Sequence, residues 1–313
     1  MFRKTQKIIL SSDEIRERYP IKDKVFKHGR DKEIKDVLDG NSNKFLGIVG
    51  PCSLDSEDGI FEYLSELKRI EEFVKDKILI VPRLFNAKPR TRAGYRGLLH
   101  ENDGFIKARK ILVGAVNDFG FCGADELLYP FSYDYFSDAI SYYAIGTRSA
   151  TNQEHRFFAS GIDVAVGIKN PINGDLDLLT GIIETAKNPS RFYNDGHEIT
   201  TTGNSYAHAI LRGYQNNLGT HFNNMTMAKS LGNIPVIIDL GHSNANKKHA
   251  LIEKNYKDSL SLFFNKNIKG IMFESYLKSG RSDGFVFGQS VTDECLGVDD
   301  TKRILFDLCE KLS

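Results

Sequence analysis

The chain has 313 residues, enough for a barrel of roughly 250 residues plus an extension, with a core that needs no disulfide staples. Lys and Arg number 42 against 41 Asp and Glu, a formal net charge of +1, which argues against a general polyanion binder and so against a nucleic-acid role. No apolar stretch reaches the length of a signal sequence or membrane span, and Cys52, Cys122, Cys295 and Cys309 show no paired spacing, so the thiols are expected to be free in a reducing cytoplasm.

Residues 1–44 stand apart. Charges dominate 11–36, and the pattern predicts a short capped helix from Ser12 with Ile15 and Tyr19, then a second over 31–38. This reads as an extension packed on a barrel or on a neighbouring subunit, with a frayed tail as the alternative. From Phe45 to the end, 45–313, strand-like runs alternate with amphipathic stretches. The predicted strands are 45–50, 78–85, 122–127, 142–146, 163–169, 207–213, 235–242 and 270–275. Strand then helix, eight times over, implies a parallel sheet closed into a (β/α)8 TIM barrel, an α/β fold. An open doubly wound sheet is the rival, but no GxGxxG follows the first strand. A last helix is expected over 301–311, capped by Asp299 and Asp300.

Four residues at or beyond strand ends suggest a metal. Cys52 follows Gly50-Pro51, His242 follows Gly241, Glu274 closes the eighth strand, and Asp293 lies in the loop after it. In a closed barrel strands 7, 8 and 1 are neighbours, so these ligands would share one end. Singly, Cys52 reads as a packing residue, His242 as a loop histidine, and the two acids as solvated or ion-paired. Together a thiolate, an imidazole and two carboxylates suit Mn²⁺, Fe²⁺, Co²⁺ or Zn²⁺ better than Mg²⁺.

Cations come to the same face from other strand ends: Arg83, Lys88 and Arg90 after strand 2, Arg148 after strand 4, Lys169 ending strand 5 and Arg212 ending strand 6. Any one of them could be a surface charge. Several loops giving cations to one face imply a heavily anionic small molecule. Glu126 is placed to orient one of them. His155 reads as a helix residue with a direct role as the minor alternative, and Arg92, Arg96 and Lys107 as solvated.

These residues resemble the class I 3-deoxy-D-arabino-heptulosonate-7-phosphate (DAHP) synthases, the shorter aromatic-regulated bacterial and fungal type. The motifs are Gly50-Pro51-Cys52-Ser53, Lys88-Pro89-Arg90-Thr91, Gly146-Thr147-Arg148, Val166-Gly167-Ile168-Lys169-Asn170, Ile210-Leu211-Arg212-Gly213, Asp239-Leu240-Gly241-His242-Ser243-Asn244 and Ser290-Val291-Thr292-Asp293. The resemblance implies a metal-dependent transferase that condenses phosphoenolpyruvate with erythrose 4-phosphate and releases phosphate. It implies Cys52, His242, Glu274 and Asp293 as metal ligands, with Mn²⁺ the first expectation. It implies Arg83, Lys88, Gly146, Thr147, Arg148, Lys169 and Arg212 at phosphoenolpyruvate, with Glu126 beside them, and Arg90 and Thr91 at the aldose phosphate. Lys88 is the expected proton donor. The expected assembly is a homodimer or homotetramer. Relatives carry Ala at Thr147, and Trp at Tyr95 and Val298. Two other classes stay open: a metal-dependent barrel hydrolase, although no HxH motif is present, and a non-catalytic or divergent paralogue that uses a related aldose phosphate or binds an aromatic amino acid.

Overall fold

The computed structural model describes residues 9–90, 93–194, 196–214 and 224–312. Thr91 and Arg92 lie outside the described residues. Eight parallel strands form the central sheet: β1 Phe45–Gly50, β2 Ile78–Pro82, β3 Gly123–Glu126, β4 Ile140–Ile145, β5 Ala165–Lys169, β6 Ala207–Leu211, β7 Val236–Asp239 and β8 Ile268–Glu274. Each pairs with its neighbours in chain order, and β8 pairs with β1. Between β2 and β3 the ladder shrinks to one parallel bridge, Arg83 to Ala124, with the Leu84 N–H donating to the Ala124 carbonyl at 2.8 Å. This is the expected α/β barrel. The predicted second strand overruns the observed one, because beyond Pro82 the ladder is reduced to isolated contacts of Arg83 and Leu84.

The strands read as unbroken apolar runs because both of their faces are covered. All six residues of β1 are buried. Outside, helices carry apolar stripes at helical spacing. In Glu57–Val74, Ile60, Tyr63, Leu64, Leu67, Ile70 and Val74 face the sheet, and Ser56 caps the start by accepting from the Gly59 N–H. Inside, Leu46, Ile48, Leu79, Val81, Tyr142, Ile210, Ile237 and Met272 fill the barrel.

Two helices precede β1: α1 Ser12–Arg18 and α2 Lys24–Asp39. The cap of α1 is Ser11, one residue before the expected Ser12. Its hydroxyl accepts from the Glu14 N–H while Glu14 reaches back to the Ser11 N–H. Residues Ile34, Val37 and Leu38 of α2 join the inner core, and α2 packs on β1, β4 and β5. The N-terminal segment therefore plugs one end of the barrel. Arg109, fully buried, ties α1 down through the Tyr19 carbonyl and Asp138. At the other end of the chain, Val298–Lys311 starts after Gly297, and Asp299 and Asp300 lie in its first turn rather than capping it. There they still complement the helix dipole. A short antiparallel hairpin, Arg191–Asn194 with His197–Thr200, was not expected from the sequence.

Candidate active site

Strand register brings the predicted ligands together. Gly50 pairs with Glu274 across β1 and β8, and Met272 pairs with Asp239 across β8 and β7. Cys52 lies two residues past the first of these levels and His242 three past the second. The ligand atoms of Cys52, Glu274 and Asp293 lie within 4.8 Å of one another. Nε2 of His242 is 3.8 Å from Oε1 of Glu274, at the edge of this cluster. His242 has a left-handed backbone, φ +52°, which for a residue with a Cβ is held only by its surroundings.

The sequence reading missed the acid packed against it. Asp239, fully buried, places Oδ2 2.8 Å from His242 Nδ1 and 3.4 Å from Lys169 Nζ, and its Oδ1 accepts from the Gly241 N–H at 3.0 Å. Burial pushes the imidazole pKa down, beyond what Asp239 restores, so His242 is neutral, the form that binds metals. Asp239 sits in the same motif as His242, but three residues earlier and inside a strand. An acid in such a run signals a buried partner, and the cation and imidazole around it supply one.

Among the three clustered ligands stands a cation. Lys88 Nζ is 2.6 Å from Cys52 Sγ, 3.0 Å from Asp293 Oδ2 and 3.5 Å from Glu274 Oε1. Burial opposes the charge on Lys88, but Cys52, Glu274 and Asp293 outweigh it and raise its pKa well above the ordinary value. Burial likewise opposes the charge on Glu274, yet Lys88, His242 and Arg83 bring that carboxyl down to about 2, and Asp293 is lowered too, mainly by Lys88. Burial, with Glu274 adding to it, pushes the Cys52 thiol up to about 12 against the pull of Lys88. Two carboxylates and a sulfur thus already gather around a positive charge. A divalent ion fits that donor set, and its binding would draw the proton from Cys52.

Beside this cluster opens a cavity of about 390 Å³. Among the described residues six cationic side chains line it: Lys88, Arg90, Arg148, Lys169, Arg212 and Lys247. Among the described residues only two acids, Glu126 and Asp293, face them. Gly146, Thr147, Pro89 and His242 complete most of the wall. Lys247 was not foreseen. It follows the His242 turn, and its N–H donates to the His242 carbonyl at 2.7 Å. Lys169 and Arg212 are nearly out of solvent, and burial lowers both pKa values; Arg83 adds to the effect at Lys169 and Arg148 at Arg212. Arg212 remains charged regardless. A buried cation without a full set of partners favours an anionic ligand, and Nε of Arg212 has no partner among the described residues.

Arg83 is placed differently. It is buried, stacked 4.0 Å from the Phe85 ring centre and 3.5 Å from Glu274, and it does not line the cavity. Arg90 stands on the wall with Nε donating to the Tyr95 carbonyl at 3.0 Å. Glu126 is buried, and a Cβ on Gly146 would fall 2.0 Å from its Oε1, so glycine there makes room for the carboxylate. His155 faces the Leu128 carbonyl at 3.2 Å and is not on the wall. Arg96 and Lys107 are exposed.

Comparison with known proteins agrees on one family. Residues 18–306 match the model described as DAHP synthetase I family. A phospho-2-dehydro-3-deoxyheptonate aldolase of Haemophilus influenzae is 34% identical over 306 residues, covering 89% of this chain and 84% of that protein. The Phe-sensitive enzyme of the same name from Escherichia coli is 33% identical, covering 90% and 87%. A solved phospho-2-dehydro-3-deoxyheptonate aldolase of Francisella tularensis superposes with a TM-score of 0.90 at 29% identity, covering 99% of this chain and 98% of that one.

Proposed function

The chain belongs to the DAHP synthetase I family and condenses phosphoenolpyruvate with erythrose 4-phosphate, releasing phosphate, and we propose that the residues of the β-strand mouth divide this work in two halves joined by Lys88. The reaction is the first step of the shikimate pathway to the aromatic amino acids, and it is metal-dependent in this family.

In the first half, Arg148, Lys169 and Arg212 grip phosphoenolpyruvate, with the Gly146-Thr147 turn beneath it and Glu126 orienting the cations. Their support is the shared cavity wall. Arg83 acts from behind, through Glu274. In the second half, Arg90 and Thr91 hold the erythrose phosphate. Cys52, His242, Glu274 and Asp293 hold the divalent ion, Mn²⁺ first among Mn²⁺, Fe²⁺, Co²⁺ and Zn²⁺, because sulfur and nitrogen stand beside oxygen in the donor set. When bound, that ion supplies Lewis-acid polarisation of the aldehyde. C3 of phosphoenolpyruvate attacks the aldehyde carbon, and the Lys88 ammonium protonates the developing alkoxide. Water adds at C2, and phosphate leaves by C–O cleavage. Two mutually repelling anions are held in contact by the cations that line the cavity, which is much of the catalytic effect.

The observation that carries this reading is Lys88. One ammonium touches three predicted metal ligands and also lines the cation cavity. The test is phosphate release with both substrates, before and after EDTA, then with Mn²⁺ restored. Release that needs no aldose phosphate, or that ignores EDTA, sinks it.

We read residues 1–44 as an extension on a catalytic barrel of residues 45–313. A reducing cytoplasm suits a site whose thiolate must stay unoxidised. No helix among the described residues is long and apolar enough to cross a membrane. A homodimer or homotetramer would cover side chains such as Val25 and Phe131, which stand 82% and 61% exposed in the single chain.

A further inference from the structure

Four strand ends are tied to one another through two asparagines, Asn170 by its side chain and Asn244 by its backbone N–H, with the Thr147 hydroxyl joining from β4. Asn170, at the end of β5, is fully buried and uses every polar group it has. Its N–H donates to the Ile210 carbonyl at 3.1 Å. Its Oδ1 accepts from the Arg212 N–H at 2.9 Å, and its Nδ2 donates to the Gly213 carbonyl at 3.2 Å and the Pro171 carbonyl at 3.0 Å. Its own carbonyl accepts from the Thr147 hydroxyl at 2.7 Å. Asn244, beyond β7, continues the line. Its N–H donates to the Arg212 carbonyl at 3.1 Å, and its Nδ2 to the Asp239 carbonyl at 2.7 Å.

The backbone of Arg212 is thus held from both sides, its N–H by the Asn170 side chain and its C=O by the backbone N–H of Asn244, whose loop the Asn244 side chain anchors to the Asp239 carbonyl. Gly213 is required for this fit. It has φ +71°, and a Cβ would lie 2.2 Å from Oδ1 of Asn244. Only a primary amide offers acceptor and donors on one short planar group, so Asp or Ser at 170 cannot fill the same positions.

We propose that Asn170 and Asn244 are positioning residues that form a belt from β4 to β7, setting Arg148 and Arg212 for the anion before it arrives. The proposal deepens the reading above and rests on Arg148, Lys169 and Arg212 being the grip on phosphoenolpyruvate. The physical reason is preorganisation. Arg212 is a desolvated guanidinium beside two other cations, and without a rigid backbone it would swing toward solvent. The Thr147 hydroxyl has a defined place in this scheme. It donates to the belt, joins the Arg148 turn to Asn170, and so is not free to donate to the ligand.

The test is steady-state kinetics on the metal-loaded enzyme with each substrate varied in turn. Asn170→Ala, which removes the acceptor of the Arg212 N–H, raises KM for phosphoenolpyruvate about tenfold or more, and Asn244→Ala, which keeps its backbone N–H on the Arg212 carbonyl and loses only the side-chain ties to the Asp239 and Leu211 carbonyls, raises it about threefold, while KM for erythrose 4-phosphate stays within about twofold for both. Thr147→Val gives a smaller rise, about threefold, and Thr147→Ser returns it to the starting value. A fall in melting temperature with both KM values unchanged, or an equal rise in both, overturns the belt. Arg212→Ala separates this from the reading beneath it. If Arg212→Ala leaves KM for phosphoenolpyruvate unchanged, the grip itself is misassigned; if it raises that KM and the asparagine variants do not, only the belt fails. Should Asn170→Ala not fold, Asn244→Ala and the two Thr147 variants, at the ends of the line, decide the matter on the same readout.

Discussion

Nζ of Lys88 lies 2.6 Å from Sγ of Cys52. The ammonium therefore stands where a divalent ion would meet the same sulfur and the carboxylates of Glu274 and Asp293. Two cations of like charge cannot share that space, so metal binding and the position of Lys88 are linked. Lys88 also lines the cavity, where this reading needs a proton donor.

This linkage predicts opposite effects from one substitution. Lys88→Met raises metal affinity, measured by competition with a chelator, and lowers turnover on the order of 100-fold or more. A variant that binds metal more weakly than the parent would count against the shared site.

In this reading Cys52→Ala removes the one sulfur ligand. Metal affinity falls on the order of 100-fold or more, and added Mn²⁺ does not restore activity. Metal content after dialysis, read beside turnover, checks this. Full activity in a metal-free Cys52→Ala enzyme would refute the ligand role.

Arg90 and Arg148 serve different anions in this reading. Arg90→Ala raises KM for erythrose 4-phosphate roughly 10- to 100-fold, the cost of a charge-assisted hydrogen-bond pair, and leaves KM for phosphoenolpyruvate nearly unchanged. Arg148→Ala does the reverse. Equal changes in both constants for either variant would dissolve the division of the cavity.

The barrel interior carries its own pH dependence. His208 on β6 is fully buried, with Nδ1 2.9 Å from the Tyr206 carbonyl and Nε2 2.8 Å from the Tyr142 hydroxyl. The carbonyl requires the proton on Nδ1, so Nε2 accepts from Tyr142 and the ring is neutral. Burial brings its pKa down to about 4 from 6.5. The unfolded chain takes up the proton first as pH falls. Stability is therefore full above 6.5 and is lost between about 6.5 and 4, on the order of 3 kcal/mol in all. Urea unfolding across that range should show the loss, and His208→Gln should flatten it.

Ile34 of α2 is fully buried in the barrel's inner core. Ile34→Ala costs about 2–5 kcal/mol of stability and leaves both KM values alone, since the plug lies away from the cavity. An active-site change without a stability change would mean that α2 communicates with the strand mouth.

Much of this molecule was legible in one dimension. A run such as FLGIVG is unbroken apolar because a parallel strand is covered on both faces, and eight such runs separated by helical stripes can close only a few ways. The family motifs were equally plain, since each is a short string at a strand end. Boundaries were less so: Ser11 and not Ser12 caps α1, and Asp299 and Asp300 fill a first turn instead of capping it.

What could not be read from the chain is which side chains share a space. Composition cannot say that Arg83 turns onto Phe85, away from the cavity wall, while Lys247 joins that wall. Nor does any spacing reveal that Asp239 braces His242, or that Asn170 reaches across to Arg212, 42 positions along. Local sequence governs what a segment can become, because backbone preference and apolar period act over a few residues. Register between strands far apart in the chain governs which polar groups meet, because a shift of one residue would turn each side chain to the opposite face of the sheet.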